Sequence, residues 1–270
     1  MMRFLSFISN NIKNFLSSID KIFNDFKWKY LSPRNKSLEN FSIHFLLVKD
    51  PKYASVLRIC IDSFLYWHPE SKITIHLDSL TKDRVLQEIV TRRNREKIRI
   101  VMDMDYGSQS WQELKLRLIS SLNGTNEIYL DTDMRWNGCL QTTNSITFLS
   151  TEIKLKNTTS FLFLLKNLRD GEFIDAFMRN TSFFTFSGIN IPQVLIDDLV
   201  VLHKEVISLI GSEMIGIDDR DNLIRIAEQL TLSLASQNWG SEILSLKEVD
   251  KYKDGAFLES SYFGSTGTRF

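Results

Sequence analysis

The sequence predicts an α/β protein built on an open, mainly parallel sheet flanked by helices. Two observations predict it. Short apolar runs of strand length alternate with helix-length segments from residue 43 to residue 130, and the segments between them carry breakers such as His68-Pro69 and Gly124. Strand, helix, strand at this rhythm feeds the right-handed crossovers of a parallel sheet.

The elements follow in order. Ile43-His44-Phe45-Leu46-Leu47-Val48 is an apolar run fit for a strand buried on both faces. Residues 52–67 form a helix that stops at His68, because a residue before proline is pushed out of the α region. Ile73–Leu77 is the second strand, and Thr81 with Asp83 opens a helix reaching about Arg93. Ile98–Met102 is the third strand, residues 111–123 are helical and close at Gly124, and Ile128-Tyr129-Leu130 is the fourth strand. In the second half Phe161–Leu165 is apolar, Phe183–Phe186 is a strand ending in Ser187-Gly188, and helices follow at residues 192–210 and about 222–237. Ile224, Ala227, Leu230 and Leu234 supply the apolar face of the last helix.

Residues 1–36 read as a helical appendage and linker, and residues 37–270 as a single domain. Phe4, Ile8, Ile12, Phe15, Ile19, Ile22 and Phe26 share one helical face within residues 1–30, and the opposite face is polar with several lysines. Such a helix lies in a membrane interface, or packs on its own domain or on a second copy. The basic cluster Arg92–Arg99 either joins it against anionic lipid or is a solvated helix end.

Composition narrows the function classes. The 270 residues carry 33 basic and 33 acidic side chains, and this neutral balance argues against a nucleic-acid binder. Hydrophobic residues at 43% against 24% charged exclude a disordered or fibrous chain. Cys60 and Cys139 alone make neither a metal cluster nor a disulfide framework, which points to a reducing compartment. No run of about 18 apolar residues occurs, and the first residues have too short an apolar core for a secretory signal. The expectation is a cytoplasmic protein with peripheral membrane contact through residues 1–30.

Asp131-Thr132-Asp133 is the sharpest chemical feature. Two carboxylates two residues apart, just past a strand, converge when the chain bends out of the sheet, and they offer hard oxygens to Mg²⁺ or Mn²⁺. A cation so held keeps positions open for phosphate oxygens. In open α/β sheets ligands bind beyond the carboxyl ends of the strands, which puts Asp78 and Asp131–Asp133 at one crevice mouth.

Taken with the strand Ile43–Val48, the stretch from Tyr53 through Ser63 and Pro69 to Asp78, Lys115 on the preceding helix, Phe186-Ser187-Gly188-Ile189-Asn190 and Ala227-Glu228-Gln229, this motif resembles the nucleotide-sugar-dependent glycosyltransferases of the GT-A fold. The likeness runs from about residue 43 to residue 264. It implies a GT-A, Rossmann-like sheet and a metal-dependent, hexosyltransferase-like enzyme. That enzyme moves a sugar from a nucleotide diphosphate sugar, expected to be a UDP-sugar, to a saccharide or lipid-linked glycan, as in polysaccharide biosynthesis. By the same resemblance Asp133 binds the metal directly, and Asp131 contacts the ribose or the metal through water. Lys115 faces the nucleotide or its phosphates, and Asp78 lies near the base or ribose. Ser187 and Gly188 form the small-residue loop that lets donor sugar and acceptor approach, with Ser187 standing where the family usually has Asn. Glu228 falls where a carboxylate sits near the reacting sugar carbon, and an inverting enzyme needs such a group as base. The family's C-terminal histidine ligand has no counterpart, since no histidine follows His203. An oxygen donor from the tail at Tyr262–Arg269, diphosphate oxygens or water stand in for it.

Each residue also has a structural reading. Lys115 is a solvated helix lysine, Asp78 a turn-initiating residue, and Glu228 a helix-surface glutamate. Trp111, Trp136 and Trp239 either line a sugar site or belong to the core. His44, His68, His76 and His203 are scattered and structural. Two other functions compete. One is a catalytically degenerate domain of the same fold serving as an interaction module. The other is a haloacid-dehalogenase-type phosphatase, whose Asp-X-Asp normally follows the first central strand rather than the fourth.

Overall fold

The computed structural model describes residues 40–48, 53–79, 81–90, 94–102, 110–122, 126–132, 134–136, 140, 146–153, 159–172, 178–186, 191–212, 215–239, 243–245 and 258–260. All belong to one compact unit spanning 37–270. The amphipathic segment 1–30 and the linker to residue 36 lie outside the described residues, as do Arg92 and Arg93, Asp133, Ser187, Gly188 and the tail Tyr262–Arg269.

The first half alternates strand and helix as the sequence predicts: β1 (Ser42–Leu47), α1 (Ala54–Trp67), β2 (Lys72–Leu77), α2 (Lys82–Glu88), β3 (Ile98–Val101), α3 (Trp111–Ser120) and β4 (Glu127–Leu130). The second half adds β5 (Met134–Trp136), β6 (Ile146–Ile153), α4 (Thr159–Asn167) with a 3₁₀ turn at Leu168–Gly171, and β7 (Met178–Thr185). It ends with α5 (Gln193–Ile210), α6 (Ile217–Arg225), α7 (Ala227–Gln237), β8 (Ile243–Ser245) and β9 (Leu258–Ser260).

Seven strands form one mixed sheet in the order β3-β2-β1-β4-β7-β6-β8, and β5 pairs with β9 as a separate ribbon. β3, β2, β1 and β4 are parallel, β7 runs antiparallel to both β4 and β6, and β8 is parallel to β6. The fold class is therefore α/β with a mainly parallel sheet between helices. After β3, at one edge, the chain returns to lay β4 beside β1, so the strand order reverses between β1 and β4. Such a reversal opens a crevice at the carboxyl ends of the two strands.

Strand parity assigns the two faces. Ile43, Phe45 and Leu47 of β1 and Ile128 and Leu130 of β4 enter a cluster with Leu57, Ile61 and Phe64 of α1 and Val85 of α2. The alternate residues Leu46 and Tyr129 enter the opposite cluster, with Leu116 and Ile119 of α3, Leu199 and Val206 of α5 and Leu230 and Leu234 of α7. Period-two alternation thus makes a three-layer sandwich.

Two expectations change. The helix expected over about 222–237 is two helices, broken at Ile226 (φ −109°, ψ 10°). Ile224, placed on its apolar face, is 40% exposed, because the break rotates it away from the face that Ala227, Leu230 and Leu234 bury. The apolar stretch at Phe161–Leu165 is part of α4, packed against the α5 side. No helix among the described residues is long and apolar enough to cross a membrane.

Candidate active site

The candidate site is assembled from the end of β4 and the first turns of α3 and α7. In a parallel crossover unit the helix runs antiparallel to the strands, so the N-terminal turn of α3 stands over the carboxyl ends of β1 and β4. That turn is fixed locally. Ser110 caps it by accepting the Glu113 amide at 3.2 Å, within a Ser-X-X-Glu sequence that favours a helix start.

The buried residues of α3 are Gln112, Leu114, Lys115, Leu116, Leu118 and Ile119. At 100° per residue Lys115 lies at the centre of that arc. It is 1% exposed, so the solvated-lysine reading fails. Its ammonium donates to Asp131 Oδ1 at 3.0 Å, lies 3.7 Å from Glu228 Oε1, and sits 4.9 Å from the centre of the Tyr129 ring.

Asp131 leaves β4 with its amide bonded to the Ser182 carbonyl of β7 at 2.8 Å. Tyr129 and Asp131 share strand parity, and the Tyr129 hydroxyl donates to Asp131 Oδ1 at 2.6 Å. Both donors converge on Oδ1. The Asp131 side chain remains 24% exposed, in contrast to Lys115 and Glu228.

Glu228, in the first turn of α7, is 2% exposed and is not a surface glutamate. Burial raises its proton affinity above the usual carboxylate value. Lys115 opposes that rise, Asp131 adds to it, and the amides of Glu228 and Gln229 at the helix start oppose it. Gln112 Nε2 lies 3.3 Å from Glu228 Oε2. The structure thus brings together three residues singled out in sequence: Lys115, Asp131 and Glu228. It adds Gln112 and Tyr129, whose roles the sequence reading missed. The available signal was the same for Gln112 and Lys115: a polar residue inside an otherwise apolar helical arc.

Asp78 ends β2 on the same edge of the sheet, two strands from β4. Its Oδ1 accepts the Thr81 amide at 3.0 Å and the Thr81 hydroxyl at 2.7 Å, so it organises the turn into α2. Asp133, Ser187 and Gly188 lie outside the described residues. Trp239 is buried against Phe184 and Phe186, as the core reading has it, whereas Trp111, at the head of α3, is 44% exposed.

The histidines are not all scattered. His44 Nδ1 and His76 Nε2, on adjacent strands, lie 3.2 Å apart, and burial together with His76 and Arg99 lowers the His44 pKa to about 4. Among the described residues no group of three His, Cys, Asp or Glu side chains is arranged to hold a metal ion. An open groove of about 570 Å³ lies elsewhere, beside α5 and the 3₁₀ turn, lined in part by Arg169, Lys204 and Glu205. Arg169 is already forked onto Asp198 and Glu205, which neutralise it as an anion site.

No family model matches the chain, and no curated protein sequence matches it. Among solved structures it is similar to galactosyltransferase LgtC in complex with donor and acceptor sugar analogs, at 14% identity and TM-score 0.40, over 72% of this chain and 70% of that one. It is similar to the glycosyltransferase GlyE of Streptococcus pneumoniae TIGR4 at 12% identity and TM-score 0.42, over 81% of this chain but only 46% of that one. The PaToxG glycosyltransferase aligns at 14% identity and TM-score 0.35, over 89% of this chain and 94% of that one. At this distance no residue role or substrate passes from those proteins to this chain.

Proposed function

We propose that the chain is a metal-dependent glycosyltransferase that moves a sugar from a nucleotide diphosphate sugar, taken here as a UDP-sugar, to a saccharide or lipid-linked glycan. One observation carries the reading. Asp131, first residue of the Asp131-Thr132-Asp133 motif, stands at the carboxyl end of the fourth strand, where the strand order reverses, bonded to a buried lysine that a second carboxylate also faces. A crevice at that position is where an open α/β sheet receives a nucleotide. The fourth-strand placement also favours this reading over the phosphatase, whose motif follows the first central strand.

The donor set fits a hard divalent cation in part. Asp131 presents a partly exposed carboxylate whose Oδ1 is taken by Lys115 and Tyr129, while among the described residues Oδ2 has no protein partner. Asp133 is proposed as the direct ligand and Asp131 as its companion. Mn²⁺ or Mg²⁺ bound there would neutralise charge on the leaving diphosphate.

The chain's own residues do the rest. In glycosyl transfer the bond from the sugar C1 to the diphosphate oxygen breaks, a bond from C1 to the acceptor oxygen forms, and the acceptor's proton needs a base. Lys115, buried beneath Asp131 and held by Asp131 and Glu228, is proposed to act on the nucleotide's phosphates from behind Asp131. Glu228 is the proposed proton acceptor, and its raised proton affinity suits that task. Ser187 and Gly188 are proposed to line the sugar approach, and Asp78 to border the nucleoside. Residues 1–30 are proposed to bring the domain to a membrane surface.

The test is hydrolysis of a panel of nucleotide sugars with Mn²⁺ or with chelator. Turnover of one donor with Mn²⁺, lost in chelator and in Asp131→Asn, is expected. Release of phosphate from simple phosphate monoesters with no nucleotide-sugar turnover would overturn the reading.

A further inference from the structure

We infer that Gln112 is a positioning residue that clamps the junction of α6 and α7 onto α3, and so holds Glu228 against Lys115. The inference rests on the proposed glycosyl-transfer reading. It follows from what one carboxamide reaches. Gln112 Nε2 lies 2.7 Å from the Ile224 carbonyl, 3.4 Å from the Arg225 carbonyl and 3.3 Å from Glu228 Oε2.

The two carbonyls stand at a helix end. α6 ends at Arg225, and the last carbonyls of a helix have no amide of their own helix to accept from. The break has no proline or glycine to impose it, and Ile226, which starts α7, has no side-chain cap. Glu228 stands in the first turn of α7, where the amides of a helix start have no partner within their own helix. Gln112 satisfies the end of one helix and fixes a carboxylate in the first turn of the next.

Gln112 and Lys115 are three residues apart on α3 and therefore neighbours on one face. The same Ser110-capped helix thus places a neutral donor 3.3 Å from Glu228 Oε2 and an ammonium 3.7 Å from Glu228 Oε1. Two different oxygens held from one helix fix the carboxylate's plane as well as its distance. The Gln112 carboxamide nitrogen is spent on the Ile224 carbonyl and on Glu228 Oε2, so Gln112 acts through Glu228.

A double-mutant cycle tests it. Donor hydrolysis is measured for the wild-type chain, Gln112→Met, Glu228→Gln and the double variant, with each variant's melting curve confirming that it folds. Gln112→Met is expected to lower kcat roughly tenfold or more while KM for the donor stays within about twofold, since ångström-scale misplacement of a catalytic group is costly. In the Glu228→Gln background the same substitution is expected to change kcat less than about twofold, because groups in one network are not additive. Gln112→Asn, which keeps the amide but shortens its reach, is expected to lose kcat in the same way and serves if the methionine variant does not fold. An equal loss in both backgrounds, or an unchanged kcat in either variant of Gln112, overturns the inference. A wild-type chain that turns over no nucleotide sugar removes the glycosyl-transfer reading itself, an outcome distinct from an active wild type with an additive cycle.

Discussion

Lys115 Nζ lies 3.7 Å from Glu228 Oε1 with both side chains almost wholly buried, at 2% and 3% exposure. An ion pair this deep is a poor source of net stability, because taking both charges out of water offsets their attraction. Breaking it is another matter. The same ammonium also holds Asp131, which sits at the rim and is reached by solvent. The pair therefore couples a buried acid on α7 to an accessible acid at the end of β4 through one cation on α3.

Removing that cation leaves Glu228 buried without its counter-charge. Lys115→Met, which keeps the length of the stem, is expected to destabilise the domain by about 3 kcal/mol at neutral pH, the low end for half of a buried pair. Protonation of Glu228 limits the loss. Denaturant unfolding at pH 7 checks it; a loss under about 1 kcal/mol would mean that solvent, and not Lys115, neutralises Glu228.

Glu228 gives a pH dependence whose sign is fixed by burial, the largest influence on it. Its pKa in the folded chain lies above the ordinary value of 4.5, so between those two values the native state holds a proton that the unfolded chain has released. Stability is full below about pH 4.5 and declines as pH rises through the folded pKa. Glu228→Gln removes the titration. The melting temperature of the variant minus that of the wild type is expected to grow as pH rises above about 4.5, and a flat or falling difference would contradict the burial argument.

His44 works in the opposite sense. It faces His76 on β2 at 3.2 Å, feels Arg99 on β3, and lies 3.7 Å from Glu127 Oε1 on β4, with burial the main cause of its lowered pKa of about 4. The unfolded chain protonates it first, so its contribution is present above about pH 6.5 and is lost as pH falls toward 4. Across that window the wild type is expected to lose on the order of 3 kcal/mol more than His44→Gln, as followed by unfolding midpoints at several pH values. Parallel losses in the two proteins would show that the imidazole is solvated.

The first half of the fold was legible because its signals are local. β1, β2, β3 and β4 are apolar runs separated by helix-length stretches, and Pro69 forces α1 to end at His68. The second half resisted for physical reasons. β6 pairs with β7 through two register shifts, which spoil the alternation that marks a strand. The break between α6 and α7 is held by Gln112, more than a hundred residues away in sequence, so nothing near Ile226 announces it. At the site, Asp131, Lys115 and Glu228 were named from sequence, but their convergence needs β4, α3 and α7 stacked on one sheet face. His44 and His76 are 32 positions apart and become neighbours only through the parallel register of β1 and β2.

The crevice at β1 and β4 is proposed to take a nucleotide diphosphate through a divalent cation on the Asp131-Thr132-Asp133 motif. The most direct measurement is thermal unfolding of the full chain with UDP, with and without Mn²⁺, for the wild type and for Asp133→Ala. A ligand at a hundred times its dissociation constant stabilises the native state by roughly 2.7 kcal/mol. A rise of several degrees is expected in the wild type only when UDP and Mn²⁺ are both present, with no rise in the variant. A shift of equal size in Asp133→Ala, or none in the wild type with any nucleoside diphosphate, would contradict it.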